Sequence, residues 1–517
     1  MENVILVLDI GTQSTRASIV NDKGEIKIIK VEKYTTPYLT PKNGYVEQHP
    51  DFYYDAICKC TKAIAEEAPE LMNQVKSMVI AAFRDTACFL DENMNIVRNS
   101  VLWLDQRSAK LTKKLAWYEN LMFALVGMTN TIVFNRKRTP AIWVQENEPE
   151  IWNQTRYYVP LTSYWNYRLT GKLADSDSNV IGHYPINFKK GKWYGKNHYR
   201  THCFQVPLEK LCPLVPCGEI IGHITEKASK ETGIPVGVKL IASGTDKTCE
   251  VLGNGVLNHH EAAISYGTAC CIDVPSKKYK APEPFLPAYK APVKNLYDLE
   301  VQIYRGYWML KWFIQEFAAR EQVQARINSL SVEDLLDSKI LNIEPGANGL
   351  VLQPYWGPGL SRPRARGAII GFSDTHTKFH VYRAILEGIA FALREGMESI
   401  TASTKRKIKS LVVSGGGAKN DIVAQITADI FNIPVKKTET FESCTIGAAM
   451  SGFIAEGVFK TPEEAKAAMV RYVKEFTPNQ DVVKKYDNLY KTVYKKLYPK
   501  LNKQYSKLKE FSNDEIL

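Results

Sequence analysis

Hydrophobic and polar positions follow two rhythms along the chain. Val4–Leu8, Met78–Phe83, Leu240–Ser243, Ala262–Ile264 and Leu411–Ser414 are short apolar runs ending in turn residues, as buried strands do. Asp51–Glu66, Tyr307–Phe317, His380–Ile400 and Asp421–Phe431 carry apolar residues at three- and four-residue spacing, which predicts helices. The two kinds of segment alternate, the pattern of an α/β layered fold. No apolar run approaches the ~20 residues of a membrane helix, so no membrane span is expected. Glu2 and Asp9 flank the first run, so no secretory leader is expected and the protein reads as cytoplasmic.

The strand-like runs also repeat. Val4–Leu8 leads into Asp9-Ile10-Gly11-Thr12, and Ala262–Ile264 leads into Ser265-Tyr266-Gly267-Thr268, about half the chain further on. Leu240–Ser243 and Leu411–Ser414 enter Gly244 and Gly415 in the same way. Two lobes of similar topology, joined near Val251–His260, produce such a pattern. No low-complexity linker separates them, so they are expected to pack across a ligand-binding cleft. At 517 residues the chain exceeds what one core can organise, which agrees with duplication.

Composition narrows the picture. Hydrophobic residues at 45% and charged residues at 24% are those of a globular enzyme. The net charge of +12 suggests nucleic acid until its distribution is seen: Lys484–Lys509 holds nine lysines against Asp487 alone. Val482, Tyr486, Leu489, Val493 and Leu497 run through that stretch at helical spacing, so it reads as a docked helix with a solvated lysine face, or else as a face for an acidic partner. No nucleic-acid module is present, and no nucleic-acid partner is expected. The ten cysteines lack C-x-x-C spacing, so reduced thiols are expected rather than a zinc site or disulfides. His376 and His380 can share a helix face, but no further ligand stands at matching spacing.

Four segments can carry chemistry. Asp9-Ile10-Gly11-Thr12-Gln13-Ser14-Thr15-Arg16 brings backbone N–H groups, hydroxyls, a carboxylate for Mg²⁺ and a guanidinium to one turn, without Walker spacing. Ser414-Gly415-Gly416-Gly417-Ala418-Lys419-Asn420 either makes a tight turn or lets a flat ligand approach the N-terminus of the following helix. Asp246, after Gly244-Thr245, either caps a helix or serves as general base toward a substrate hydroxyl. Arg84-Asp85, after a strand, pairs a donor with an acceptor and can grip vicinal hydroxyls, or forms a structural ion pair.

Taken together these segments resemble the FGGY family of carbohydrate kinases. The opening turn Asp9-x-Gly11-Thr12-x-Ser14-x-Arg16 matches the family's, as do Gly44-Tyr45-Val46-Glu47-Gln48-His49-Pro50 and Trp103-Leu104-Asp105-Gln106-Arg107. The run 349–371, Arg383–Gly388, and Glu442 with Thr445-Ile446-Gly447-Ala448-Ala449 continue the likeness. The resemblance implies a two-lobed actin/hexokinase-like (ribonuclease H-like) ATPase fold with an interlobe cleft. It implies an N-terminal domain over 1–252, a nucleotide-binding domain over 258–470 and a helical extension over 471–517.

It further implies ATP and Mg²⁺ as cofactors, a small sugar or polyol as substrate, and a possible homodimer. Carried over by position, Asp246 is the base. Asp9 organises Mg²⁺ through water together with Asp246. Thr12, Gln13, Ser14, Arg16, Gly267 and Thr268 surround the phosphates. Gly415, Gly416, Gly417 and Asn420 line the adenosine side, with Gly306 approaching the nucleotide. Arg84, Asp85 and Trp103 belong to the acceptor site. Arg84-Asp85-Thr86 is similar to the glycerol kinase pattern, yet Cys271 stands where those enzymes place Phe, which implies a wider pocket wall. The lysine usual near Arg138–Trp143 is absent, with Pro140 or Ala141 in its place. Glycerol and xylulose therefore remain alternatives within a general sugar or polyol kinase. A non-catalytic actin-fold nucleotide-binding protein, which has no need of Asp246 or Arg84-Asp85, is the reading from another class.

Overall fold

A computed structural model describes residues 2–511 except 284, 285, 358, 360, 361 and 363, so part of the family-like run 349–371 lies outside the described residues. The first sheet is built from β1 (Val4–Ile10), β2 (Ser14–Asn21), β3 (Ile26–Lys33), β4 (Ser77–Ala82), β5 (Ile220–His223) and β6 (Lys239–Ile241), in the order β5–β6–β4–β1–β2–β3. The second comprises β7 (Glu261–Tyr266), β8 (Cys270–Ser276), β9 (Tyr289–Lys290), β10 (Tyr297–Ile303), β11 (Ser410–Ser414), β12 (Val435–Thr438) and β13 (Tyr472–Phe476), in the order β9–β10–β8–β7–β11–β12–β13.

The two orders superpose. β1, β2 and β3 form an antiparallel meander with β4 and β6 parallel beyond β1, and β7, β8, β10, β11 and β12 repeat that arrangement. The two Gly-Thr turns thus follow equivalent strands, β1 and β7, of a duplicated fold. The strand–Gly turns, expected to be a second equivalent pair, are not: Gly244 follows β6, whose counterpart is β12, and Gly415 follows β11, whose counterpart is β4. The edge strand differs, since β5 precedes its neighbour in the chain whereas β13 follows. Tyr472–Phe476 was expected within the helical extension. It pairs instead with Val435–Thr438, because the bare edge of β12 offers hydrogen bonds that only an extended segment can take.

β1 reads VILVLDI because both of its faces are covered. Leu6, Leu8 and Ile10 pack with Tyr53, Ile57 and Ile64 of α1 (Pro50–Glu67). Ile5 and Val7 face the other way, toward Cys249 and Leu252 of α2 (Asp246–Gly253) and Ile446, Ala449 and Met450 of α6 (Ser443–Ala455). Between these lie α3 (Trp308–Phe317), α4 (Lys378–Thr404) and α5 (Asp421–Phe431), close to the helices expected from spacing. α2 and α6 come from different halves of the chain and cross at the base of the cleft.

The C-terminal segment docks on the second lobe, but its buried face departs from the expected one. Gln480–Leu489 runs into a π turn at Tyr490–Tyr494 and then into Lys495–Leu508. The wider turn moves the inward face from Leu489 and Val493, which are only partly buried, to Tyr490 and Tyr494. Tyr486 keeps its place and donates to Glu387 at 2.7 Å. His376 and His380 are spent on local turns: His376 Nδ1 accepts from the Ser373 N–H at 2.8 Å and His380 Nδ1 from that of Thr377 at 3.1 Å. All ten cysteines are free.

Candidate active site

Parallel strands deliver their C-terminal ends to one edge of each sheet, and ligands bind beyond such ends. β1 ends at the Gly11 turn, closed by the Gly11 N–H donating to the Ser14 carbonyl at 2.9 Å. β4 continues pairing through Phe83, whose N–H reaches the Ile10 carbonyl at 2.9 Å, and then releases Arg84 and Asp85. β6 leads through Thr245, which bridges to Ala82, into Asp246 at the head of α2. These ends open on a cleft of about 1050 Å³ between the lobes, lined by Thr12, Gln13, Ser14, Arg16, Arg84, Asp85, Trp103, Asp246 and Thr268. Nine of the expected site residues therefore share one space.

Asp246 and Asp9 are the carboxylates beside the phosphate turns. Thr245 caps α2, its hydroxyl accepting from the Thr248 N–H at 3.3 Å, which leaves Asp246 free of that duty. Burial raises the Asp246 carboxyl above its usual range, while Lys247 and Arg84 pull it back. Asp9 lies deeper, and burial lifts it to about 6, with Arg16 opposing and Asp246 adding to the rise. Asp9 and Arg16 are cross-strand partners, 3.7 Å apart, and Arg16 also lies 3.3 Å from Glu442 of the second lobe. Two nearby carboxylates that burial and mutual repulsion push toward protonation fit a hard divalent cation, whose charge would relieve both.

The acceptor end is built around Arg84 and Asp85. Arg84 Nη2 donates to Glu300 of β10, its guanidinium lies 5.1 Å from the Tyr289 ring centre, and its Nη1 is buried with no partner. That orphaned donor suits a hydroxyl ligand. Asp85 sits at φ 55° and accepts from the His183 N–H at 3.1 Å, with His183 Nδ1 at 2.9 Å. Gly182 makes this possible, since a Cβ there would meet Asp85 Oδ1 at 1.9 Å. Trp103 Nε1 donates to Thr12 Oγ1 at 3.0 Å and so ties the acceptor wall to the first phosphate turn.

Gly267, Gly306, Gly416, Gly417 and Asn420 lie outside the cleft lining. Gly415, at φ +84°, passes over Tyr266, where a Cβ would come within 2.9 Å of its carbonyl. Gly416 faces open space, with nothing within 4 Å of a Cβ. Gly306 was expected to be small for the nucleotide; a Cβ there would meet Cys270 Sγ at 2.2 Å, so packing already demands glycine. Asn420 accepts from the Ile422 N–H at 3.0 Å and donates to Asp337, so its amide caps α5. Cys271, expected on the pocket wall, is 1% exposed and lies with Asp273 and Glu300 beneath it, while Gln302 and Tyr304 form the wall.

Sequence reasoning missed Glu300, His183 and Lys247. Lys247 Nζ bonds Glu250 Oε2 and Ser265 Oγ, both at 2.8 Å, and lies 3.8 Å from where a Gly267 Cβ would stand. Burial works against its ammonium, but Glu250 holds it well above the usual lysine range. Adjacency to Asp246 was the available signal; the partners of Glu300 and His183 lie far away in the chain.

The FGGY N-terminal domain model matches residues 4–253 and the C-terminal domain model residues 262–456. The chain belongs to the FGGY family of carbohydrate kinases. Among similar proteins, a xylulose kinase of Lactococcus lactis is 28% identical over 94% of this chain and 95% of its own length. A gluconokinase of Bacillus subtilis is 24% identical over 99% and 98%. A gluconate kinase structure from Lactobacillus acidophilus superposes with a TM-score of 0.82 at 21% identity, covering 99% of this chain and 100% of that one. This FGGY kinase has the two-domain actin/hexokinase-like fold and is an ATP-dependent kinase of a small sugar or polyol. Among the described residues no helix is long and apolar enough to cross a membrane.

Proposed function

We propose that the enzyme transfers the terminal phosphoryl group of ATP to an acceptor hydroxyl held by Arg84 and Asp85, with Asp246 as general base. The observation that carries this reading is that Asp246, both Gly-Thr turns and the Arg84–Asp85 pair come to one interlobe cleft from separate strand ends. Asp246 accepts the hydroxyl proton as the oxygen attacks phosphorus, and the displaced diphosphate leaves as ADP. Thr12, Ser14, Arg16, Thr268 and the backbone at Gly267 bind the phosphates. Arg16 and Lys247 offset their charge. Gly416 and Gly417 lie on the adenosine side, with Gly306 and Asn420 shaping that wall through their packing.

Mg²⁺, when bound, neutralises charge on the transferring group; Asp9, through water, and Asp246 are the side chains that would hold it. Closure of the lobes about the α2–α6 crossing excludes water from the acceptor. Ten free thiols fit a reducing cytoplasm. A homodimer fits the helix Trp117–Leu125, where Trp117 and Leu125 are 77% and 79% exposed; light scattering on the purified chain tests it. The catalytic reading is tested by ADP release over a panel of pentoses, hexoses, polyols and sugar acids with wild type and Asp246→Asn. It requires an acceptor-dependent signal that the variant loses.

A further inference from the structure

The cleft carries more positive charge than ATP and a neutral acceptor require. Its carboxylates, among the described lining residues, are Asp85, Asp105 and Asp246. Asp85 is engaged by His183, and Asp105 is consumed by Arg107, with contacts of 2.8 Å from Nε and from Nη2, and by the Val46 N–H at 2.6 Å. Arg16 and Lys247 face the phosphate turns, and Arg84 is neutralised by Glu300. Arg138, Arg200, Arg305 and Arg366 also line it. Arg200 is turned onto the Tyr194 ring and the Tyr199 hydroxyl, while Arg138 and Arg305 reach the cleft from opposite lobes. Arg138 ends the helix Thr129–Arg138; among the described residues its guanidinium reaches the Asp105 carbonyl, at 3.5 Å, and the Phe134 ring, at 5.6 Å. Arg305 follows β10 in the second lobe and lies 5.2 Å from the Trp308 ring, with no carboxylate partner among the described residues.

These two cations line one cleft from its two sides, Arg138 from the first lobe and Arg305 from the second. Both are partly buried, so water screens them poorly. They also share the acceptor end, because Tyr304, the neighbour of Arg305, lines the same cleft as Arg84, Asp85 and Arg138. Like charges on opposing lobes hold a cleft open until an anion comes between them, and a planar carboxylate is what two guanidinium forks grip best.

We infer that the acceptor is a carboxylated sugar, an aldonic or uronic acid, whose carboxylate bridges Arg138 of the first lobe and Arg305 of the second. The inference rests on the kinase reading and narrows its substrate. It also makes closure of the lobes conditional on the acceptor's charge.

The test is ADP release and calorimetric binding with matched acceptors that differ at one carbon: gluconate against sorbitol and glucose, xylonate against xylitol, and glucose 6-phosphate as a second anion. Wild type, Arg138→Gln and Arg138→Lys are compared. The acid is expected to exceed its neutral partner by about a hundredfold in kcat/KM. Arg138→Gln should raise the acid's KM by about tenfold to a hundredfold, the worth of a charge-assisted pair. The KM for ATP should stay unchanged, and Arg138→Lys should restore part of the loss. Preferred turnover of a neutral member, or of the sugar phosphate, overturns the carboxylate and leaves the kinase reading standing. An acid-to-neutral ratio unmoved by Arg138→Gln also overturns it. Turnover of no acceptor, with ATP still bound, overturns both readings.

Discussion

Gly253 and Gly447 stand against each other where α2 crosses α6, and neither leaves room for a side chain. A Cβ on Gly253 would fall 1.8 Å from the Ser443 carbonyl oxygen, and one on Gly447 would fall 1.8 Å from that of Cys249. The obstructing atoms are backbone, so the helices themselves must separate. Gly447→Ala is expected to cost at least about 2 kcal/mol, since overpacking against fixed backbone has few ways to relax. Calorimetric melting checks this. Gly416→Ala is the contrasting variant, because its Cβ meets nothing within 4 Å. It should melt like wild type yet raise the KM for ATP; equal melting losses in the two variants would refute the assignment.

Asp246 is held above its usual range by burial, with Lys247 the larger of the two restraints and Arg84 the lesser. A base must be ionised, so kcat/KM falls as pH drops through the pKa of Asp246. Removing the adjacent ammonium raises that pKa further, and the acid limb therefore moves to higher pH in Lys247→Met. At pH 6 this variant should lose more activity than at pH 8, while Asp246→Asn should lose about 10²–10⁴-fold at both. A Lys247→Met profile parallel to wild type would show that the lysine acts on the phosphates alone.

Burial outweighs Arg16 and lifts the Asp9 carboxyl to about 6 when no metal is bound. Since its folded pKa is raised above the ordinary 3.8, this group favours the folded state most when protonated. Its contribution to metal-free stability therefore declines as pH rises from 3.8 to about 6. Mg²⁺ binding runs the other way, since it needs the carboxylate. Half-saturating Mg²⁺ should rise by up to tenfold for each pH unit below about 6 and level off above it. Mg²⁺ titrations of ADP release at several pH values measure this directly. Asp9→Asn should flatten the low-pH rise, leaving only the part that protonation of Asp246 contributes, and require more Mg²⁺ throughout.

How much of this was legible beforehand depends on whether the cause was local. The strand ends at Gly11, Arg84, Asp246 and Gly415 could be read because an apolar run followed by Gly or a charged pair is a sequential signal. The duplication was legible in the two Gly-Thr turns, but the strand order was not: matching Gly244 with Gly415 joins strands that occupy different places in the two sheets. Glu300 and His183 could not be found in that way. Each acquires its meaning from a partner in another layer, Arg84 and Asp85, and no spacing encodes the meeting. The tail shows the same limit, since one π turn at Tyr490–Tyr494 re-aims a helix face whose periodicity looked regular. Gly306 could be read as special, whereas the bulk of Cys270 behind it, which by itself demands glycine, had no sequential signal.

The Arg84–Glu300 pair joins the lobes in a place where neither partner can easily be spared. The Arg84 side chain is 12% exposed and that of Glu300 is 4%, so water solvates neither charge well. Asp273 and Asp298 stand near Glu300, and burial together with the neighbouring acids pushes both well above the usual carboxylate range. Removing Arg84 alone therefore takes from this acidic cluster the cation that pairs with Glu300. Arg84→Met should cost about 3–5 kcal/mol in unfolding free energy, as breaking a buried pair does. Adding Glu300→Leu should recover much of that loss, because replacing both charges removes the desolvation cost together with the attraction. Acceptor turnover should recover in neither variant if Arg84 grips the acceptor. A double variant that regains stability and turnover together would show that Arg84 serves only the pair. Chemical denaturation and acceptor KM, measured on the same preparations, separate the two roles.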